Sequence, residues 1–203
     1  MSVLALCAAL AGAWLADLTG SAPAPQLASG TWLPQPRPIG AVSLVDQSGA
    51  SFTEARLRGA PSLLYFGFTN CPDVCPTTLA QLAQVERSAG VPSLRVIFVT
   101  VDPARDTPAV LAPYVRAFDS HFIGLTGSQR AIGALTRRLG VATERVSLPG
   151  GAYTIDHTAV AFLLDASSRV VAVFTAPFDA ARLAADLRRA APYLGARGRA
   201  QRP

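Results

Sequence analysis

Two cysteines carry most of the chemistry open to this chain. Cys71 and Cys75 are separated by three residues in the stretch Phe66-Gly67-Phe68-Thr69-Asn70-Cys71-Pro72-Asp73-Val74-Cys75-Pro76, and a proline follows each of them. The third cysteine, Cys7, lies in an apolar run near the start, after Leu6, which is too large for a lipoprotein cleavage box; it reads as passive. The spacing of the pair permits a structural disulfide, dithiol exchange with a partner, or two sulfur ligands on one metal ion. Pro76 marks a helix start and sets Cys75 at or beside the N-cap. Free backbone N–H groups and the helix dipole there are expected to lower the pKa of Cys75.

Two thiolates alone under-coordinate most metals, so the supply of a third ligand decides between these options. Beyond Met1 the chain has no methionine, which excludes a methionine-based Cu(I) site, and it has only two histidines. His121 follows Asp119-Ser120 at a helix end, where an imidazole reads as a dipole partner or a surface residue. His157 follows Asp156 at the end of a Gly/Pro-bearing loop, Ser147 to Ile155, directly before an expected core strand. Position alone leaves His157 open as ligand or bystander. Two thiolates and one imidazole suit Cu(I) in trigonal geometry, Cu(II) with a further ligand, or Zn(II) with water.

The nearby carboxylates have mainly structural readings. Asp73, between the cysteines, is expected to solvate the loop or accept a backbone N–H, with a direct metal role as the lesser option. Asp102, Arg105 and Asp106 follow a core strand at the same sheet edge and are expected to form an ion-paired brace, with part of a partner-docking face as the lesser option. Asp156 is a candidate acceptor to orient the neighbouring imidazole, set against the tendency of adjacent side chains to point apart.

The elements that position these residues are legible from periodicity. Ser62–Phe68 and Leu94–Val101 are continuous apolar runs of the kind buried on both sheet faces. Helices are expected at Thr77–Ala89, after Asp106-Thr107-Pro108, at Ser128–Leu139 and at Phe178–Leu194. Phe122–Leu125, Ala159–Leu164 and Val170–Thr175 read as strands, and Ala41–Val45 with Ser51–Thr53 as a hairpin. The order, hairpin then β-α-β-α-β-α-β-β-α, is an α/β thioredoxin-like sandwich with an N-terminal β-hairpin and an extra strand–helix insertion. Ligands in open α/β sheets sit beyond the carboxyl ends of the strands, where Cys71 and Cys75 fall.

Before this domain, residues 1–18 read as an apolar export signal or membrane anchor. The 14-residue run Val3–Ala16 is short for a span, and no basic residue precedes it. Residues 19–38, with five of the 16 prolines in Gly20–Pro38, read as a semi-extended linker, and the folded domain as 39–195. All 18 basic residues are arginine; residues 1–181 balance to zero, so the net charge of +5 belongs to the last helix and the tail 196–203. No basic stripe is interleaved with aromatics, which argues against nucleic-acid binding.

The segments GFTNCPDVCP, TVDPARDTP (Thr100–Pro108) and DHTAVAFLLD (Asp156–Asp165) together resemble the Sco (SenC) family of copper chaperones. The resemblance covers residues 39–195. It implies copper ligation by Cys71, Cys75 and His157, as Cu(I) or Cu(II), and delivery of copper to, or reduction of the cysteines in, the binuclear copper A centre of cytochrome c oxidase subunit II. It further implies tethering through the N-terminal segment to the periplasmic face of the inner membrane, or a periplasmic protein if that segment is cleaved. Another periplasmic copper donor or a thiol reductant would be a further partner. The enzymatic alternative is a membrane-associated thiol–disulfide oxidoreductase using Cys71 and Cys75 without a required metal. A thiol peroxidase is disfavoured because its Thr-x-x-Cys spacing is absent, Thr69 standing two residues before Cys71.

Overall fold

In the computed structural model, residues 24–195 are described; the expected apolar segment 1–18 with Cys7, the first part of the expected linker and the tail 196–203 lie outside them. The strands are β1 (Gly30–Pro38), β2 (Ser43–Asp46), β3 (Ser51–Thr53), β4 (Ser62–Gly67), β5 (Arg95–Thr100), β6 (Ile123–Thr126), β7 (Thr143–Ser147), β8 (Tyr153–His157), β9 (Val160–Leu164) and β10 (Arg169–Thr175). The helices are α1 (Val74–Ser88), α2 (Pro108–Arg116), α3 (Gln129–Leu139) and α4 (Ala180–Ala190).

Eight strands form one sheet in the order β1-β10-β9-β4-β5-β6-β2-β3. β4, β5 and β6 run parallel, as helical crossovers require, while β9 joins β4 antiparallel. Every residue of β4 is buried, because α1, α2 and α4 cover one face and α3, with the β2–β3 side, covers the other. Alternation along the strand sorts the side chains: Leu63 and Tyr65 face the first core, Leu64 and Phe66 the second. This is the expected thioredoxin-like α/β architecture.

The helix ends follow their sequence signals. Thr107 caps α2 ahead of Pro108, Ser128 caps α3, and Gly140 ends α3 at a φ of 74°, where glycine carries no Cβ penalty. The last helix is shorter than expected, ending at Ala190 and continuing only as a 3-10 turn, Ala191–Tyr193.

Two expectations are corrected. Gly30–Pro38 is not linker but an edge strand paired with β10. Its prolines escaped the strand reading because Pro34 and Pro36 fall in the register break between Trp32 and Arg37, where no ladder N–H is needed. Trp32 packs edge-on to Tyr193 at 5.7 Å. Buried Asp186 of α4 accepts the N–H groups of Ala28 and Ser29 at 2.8 and 2.7 Å, so the packed domain begins well before Ile39. The second correction concerns the loop Ser147 to Ile155, which belongs to a separate two-stranded ladder, β7–β8. That ladder buries no side chain fully, so it left no apolar alternation to read. Among the described residues no helix is long and apolar enough to cross a membrane.

Candidate metal centre

The cysteine loop leaves the carboxyl end of β4 and turns straight into α1. Its first residue is anchored by Asp106, whose buried carboxylate accepts the Thr69 N–H at 3.0 Å and the Thr69 hydroxyl at 2.6 Å. Cys75 lies in the first turn of α1 and is wholly buried, whereas Cys71 in the preceding loop is half-buried; both thiols are free. Gly67 makes this approach possible. A Cβ at that position would stand 2.9 Å from the Cys75 Sγ and 2.8 Å from the Phe98 ring.

His157 arrives from the opposite side. As the last residue of β8 it pairs with Thr143, and Thr158 beside it bonds Ala142 in both directions, its N–H donating at 3.1 Å and its hydroxyl accepting at 3.1 Å. The imidazole Nε2 lies 3.6 Å from the Cys75 Sγ, and the ring stands edge-on to Phe68 at 6.0 Å. Its Nδ1 lies 3.2 Å from the Thr158 carbonyl oxygen. A carbonyl can only accept, so Nδ1 carries the proton and Nε2 presents a lone pair to the sulfur. Burial holds the His157 pKa below its ordinary value, which keeps the ring neutral, the form that binds metals.

The hairpin carrying His157 is tied to the β5–α2 loop. The Tyr153 hydroxyl donates to buried Asp102 at 2.9 Å, Asp102 pairs with Arg105, and Arg105 donates to the Tyr153 carbonyl at 3.1 Å. The Tyr153 ring lies between the guanidinium groups of Arg105 and Arg145, at 3.8 and 3.7 Å. Asp102 and Arg105 therefore form the ion-paired brace expected of them, while Asp106 braces the site through the Thr69 and Thr100 hydroxyls and not through an ion pair. Asp156 is exposed and makes no hydrogen bond to His157; the Thr158 carbonyl orients the ring instead. Asp73 precedes α1 without a side-chain cap, and its carboxylate accepts a weak hydrogen bond from the Thr77 hydroxyl at 3.4 Å. His121 pairs with Asp119 at an exposed position, away from the cysteines.

The electrostatics correct one expectation. Cys75 is not an activated thiolate: burial pushes its pKa up to about 12, overriding the hydrogen bond from the Phe68 backbone that pulls the other way. The first-turn amide serves the other cysteine, since the Cys75 N–H donates to the Cys71 Sγ at 3.4 Å. A neutral thiol facing an imidazole lone pair is a proton position that a metal ion can take over.

The donor set suits such an ion. Metal–sulfur and metal–nitrogen bonds of about 2.3 and 2.0–2.1 Å, at tetrahedral to trigonal angles, place two ligands about 3.6–3.8 Å apart. The Cys75–His157 separation of 3.6 Å falls there. Among the described residues no three cysteine, histidine or carboxylate groups already enclose a metal position. Cys75 and His157 form the ready half, and Cys71 holds its sulfur against the adjacent amide. Reading the sequence missed Gly67, Tyr153 and the buried Tyr65 behind Cys75. A glycine closing an apolar strand just before the cysteine loop was the available signal for the first.

A thioredoxin-like domain with a buried cysteine set against a histidine 82 residues later defines the class of the protein. The chain belongs to the SCO1/SenC family, whose model matches residues 34–192. A SCO2-like protein of Rickettsia prowazekii is 40% identical over 139 residues, 66% of this chain and 68% of that protein. The copper-bound structure of Bradyrhizobium japonicum ScoI aligns with a TM-score of 0.68 at 40% identity, covering 74% of this chain and 97% of that one. Copper-bound ScoI of Arabidopsis thaliana aligns with a TM-score of 0.71 at 32% identity, covering 74% and 96%.

Proposed function

We propose that this protein takes up a copper ion on Cys71, Cys75 and His157 and hands it to the binuclear copper A site of cytochrome c oxidase subunit II, or prepares the cysteines of that site. The observation that carries the reading is the contact between the Cys75 Sγ and the His157 Nε2 across 82 residues of chain. It is supported by the copper bound in two solved structures similar to this chain. Soft sulfur with borderline nitrogen favours copper over harder divalent ions. Metal-free thiol chemistry is the weaker alternative, because burial keeps Cys75 protonated. The proposal includes tethering by residues 1–18 at the outer face of a respiratory membrane.

The test loads the reduced protein with Cu(II) and follows the sulfur-to-copper charge-transfer absorption under competition from a chelator. His157→Ala should lose copper at least tenfold more readily while its dithiol still exchanges with a small disulfide. Equal retention without His157 would show the three-ligand reading wrong. Transfer to an isolated copper A domain, followed by the growth of that domain's own absorption, tests the delivery step.

A further inference from the structure

Tyr65 is one of the most deeply buried side chains of the protein, with no solvent exposure, and its hydroxyl makes no hydrogen bond of ordinary geometry, although the Thr78 hydroxyl and the Cys75 sulfur are near enough to act on it. Buried hydroxyls almost always find a partner, so an orphan of this kind asks for an explanation. Its position supplies one. Tyr65 and Gly67 lie two residues apart on β4 and share a sheet face. The space a side chain at Gly67 would fill is taken by the Cys75 Sγ. The phenol therefore shares its sheet face with the cysteine sulfur, and the Cys75 sulfur and the Thr78 hydroxyl both bear on its acidity. Phe98 and Phe178 hold the ring at centroid distances of 6.3 and 6.1 Å, so it cannot turn to seek another acceptor.

A neutral thiol is a poor acceptor, and in the metal-free protein the phenol has no well-aligned partner. A metal-bound thiolate is a good one. When an ion replaces the Cys75 proton, that proton leaves to solvent and negative charge remains on a sulfur with no access to water. We propose that the Tyr65 hydroxyl is then the hydrogen-bond donor to the Cys75 sulfur, a preset group that stabilises the copper-loaded state and tunes the copper. This rests on copper ligation by Cys75. Hydrogen bonds at a copper-bound cysteine sulfur draw electron density from it and so set the reduction potential. Without the hydroxyl the sulfur donates more strongly and favours Cu(II) over Cu(I).

Tyr65→Phe keeps the ring and removes only the donor. Tyr114 provides the control: its hydroxyl is also buried and unpaired and senses the charge of both cysteines, without being in hydrogen-bond contact with either. In Tyr65→Phe loaded with Cu(II), the sulfur-to-copper band should move to longer wavelength, and the ratio of Cu(II) to Cu(I) affinity should rise several-fold. Metal-free unfolding should be unchanged or shifted to higher temperature, because a buried orphan is removed. Tyr114→Phe should leave band and ratio in place. An unmoved band in Tyr65→Phe overturns the inference, as does an equal shift in Tyr114→Phe, which would report a general change of polarity. A Tyr65→Phe variant that melts earlier without metal, and whose band is unmoved once loaded with Cu(II), would assign the hydroxyl to Thr78. A native chain with no charge-transfer band at all would remove the copper reading itself, and this inference with it.

Discussion

At the scale of single residues, the site depends on one sulfur being brought where solvent is absent. Burial raises the Cys75 pKa from its ordinary 9.0 to about 12, so the folded state disfavours the thiolate. A group raised in this way contributes stability that is whole below pH 9 and is lost as pH climbs towards 12. The metal-free protein should therefore begin to lose stability between pH 9 and 10, before tyrosines ionise, and Cys75→Ser should flatten that limb in denaturant titrations at each pH. The same protonation makes copper uptake release a proton, so affinity should weaken as pH falls, which chelator competition at two pH values would read. Gly67 is the complementary case. Gly67→Ala forces a methyl onto the Cys75 Sγ and the Phe98 ring, and overpacking of this kind costs about 1–3 kcal/mol. Urea unfolding should show that loss, together with weaker copper retention, because the displaced atom is a ligand.

At the scale of elements, the β7–β8 ladder delivers His157 yet has almost no core of its own. What holds it is polar: the Tyr153 hydroxyl on Asp102, the Asp102–Arg105 pair, and the Arg105–Tyr153–Arg145 stack. A hydrogen bond to a buried carboxylate contributes about 1–3 kcal/mol. Tyr153→Phe keeps the stacking and removes that bond. It should speed amide hydrogen exchange across 143–157 and copper loss several-fold, with little change in global unfolding. Exchange in 143–157 that matches the native protein would show the hairpin to be held by the ladder alone.

At the scale of the whole molecule, β1 finishes the sheet. It covers the outer edge of β10, and Asp186 fastens the residues before it to α4 by accepting from Ala28 and Ser29. A chain shortened to begin at Ile39 would expose β10 as a bare edge and leave a buried carboxylate short of three of its donors. Such a chain should melt well below the full protein and self-associate, measurable by calorimetry and light scattering, although no metal ligand has been touched. Asp186→Asn should reproduce part of the loss in melting temperature without the association.

The core of the fold was readable in the chain because its determinants are local. Apolar runs at Ser62–Phe68 and Leu94–Val101 read as strands covered on both faces, and Thr107-Pro108 and Gly140 punctuate helices by backbone chemistry that needs no partner. The dithiol and the shortage of other soft ligands were equally plain, and they narrowed the metal question to two histidines. The rest required the tertiary structure, because it depends on what lies across from a residue and not beside it in the chain. Pairing with β10 turned a proline-rich stretch into a strand, and a ladder without a core came to position His157. Burial inverted the expected acidity of Cys75, since desolvation at a closed sheet end outweighs the pull of a helix N-terminus. The sequence alone named the two sulfurs; the fold decided that Cys75 meets His157 where solvent is excluded, on the sheet face that also carries Tyr65.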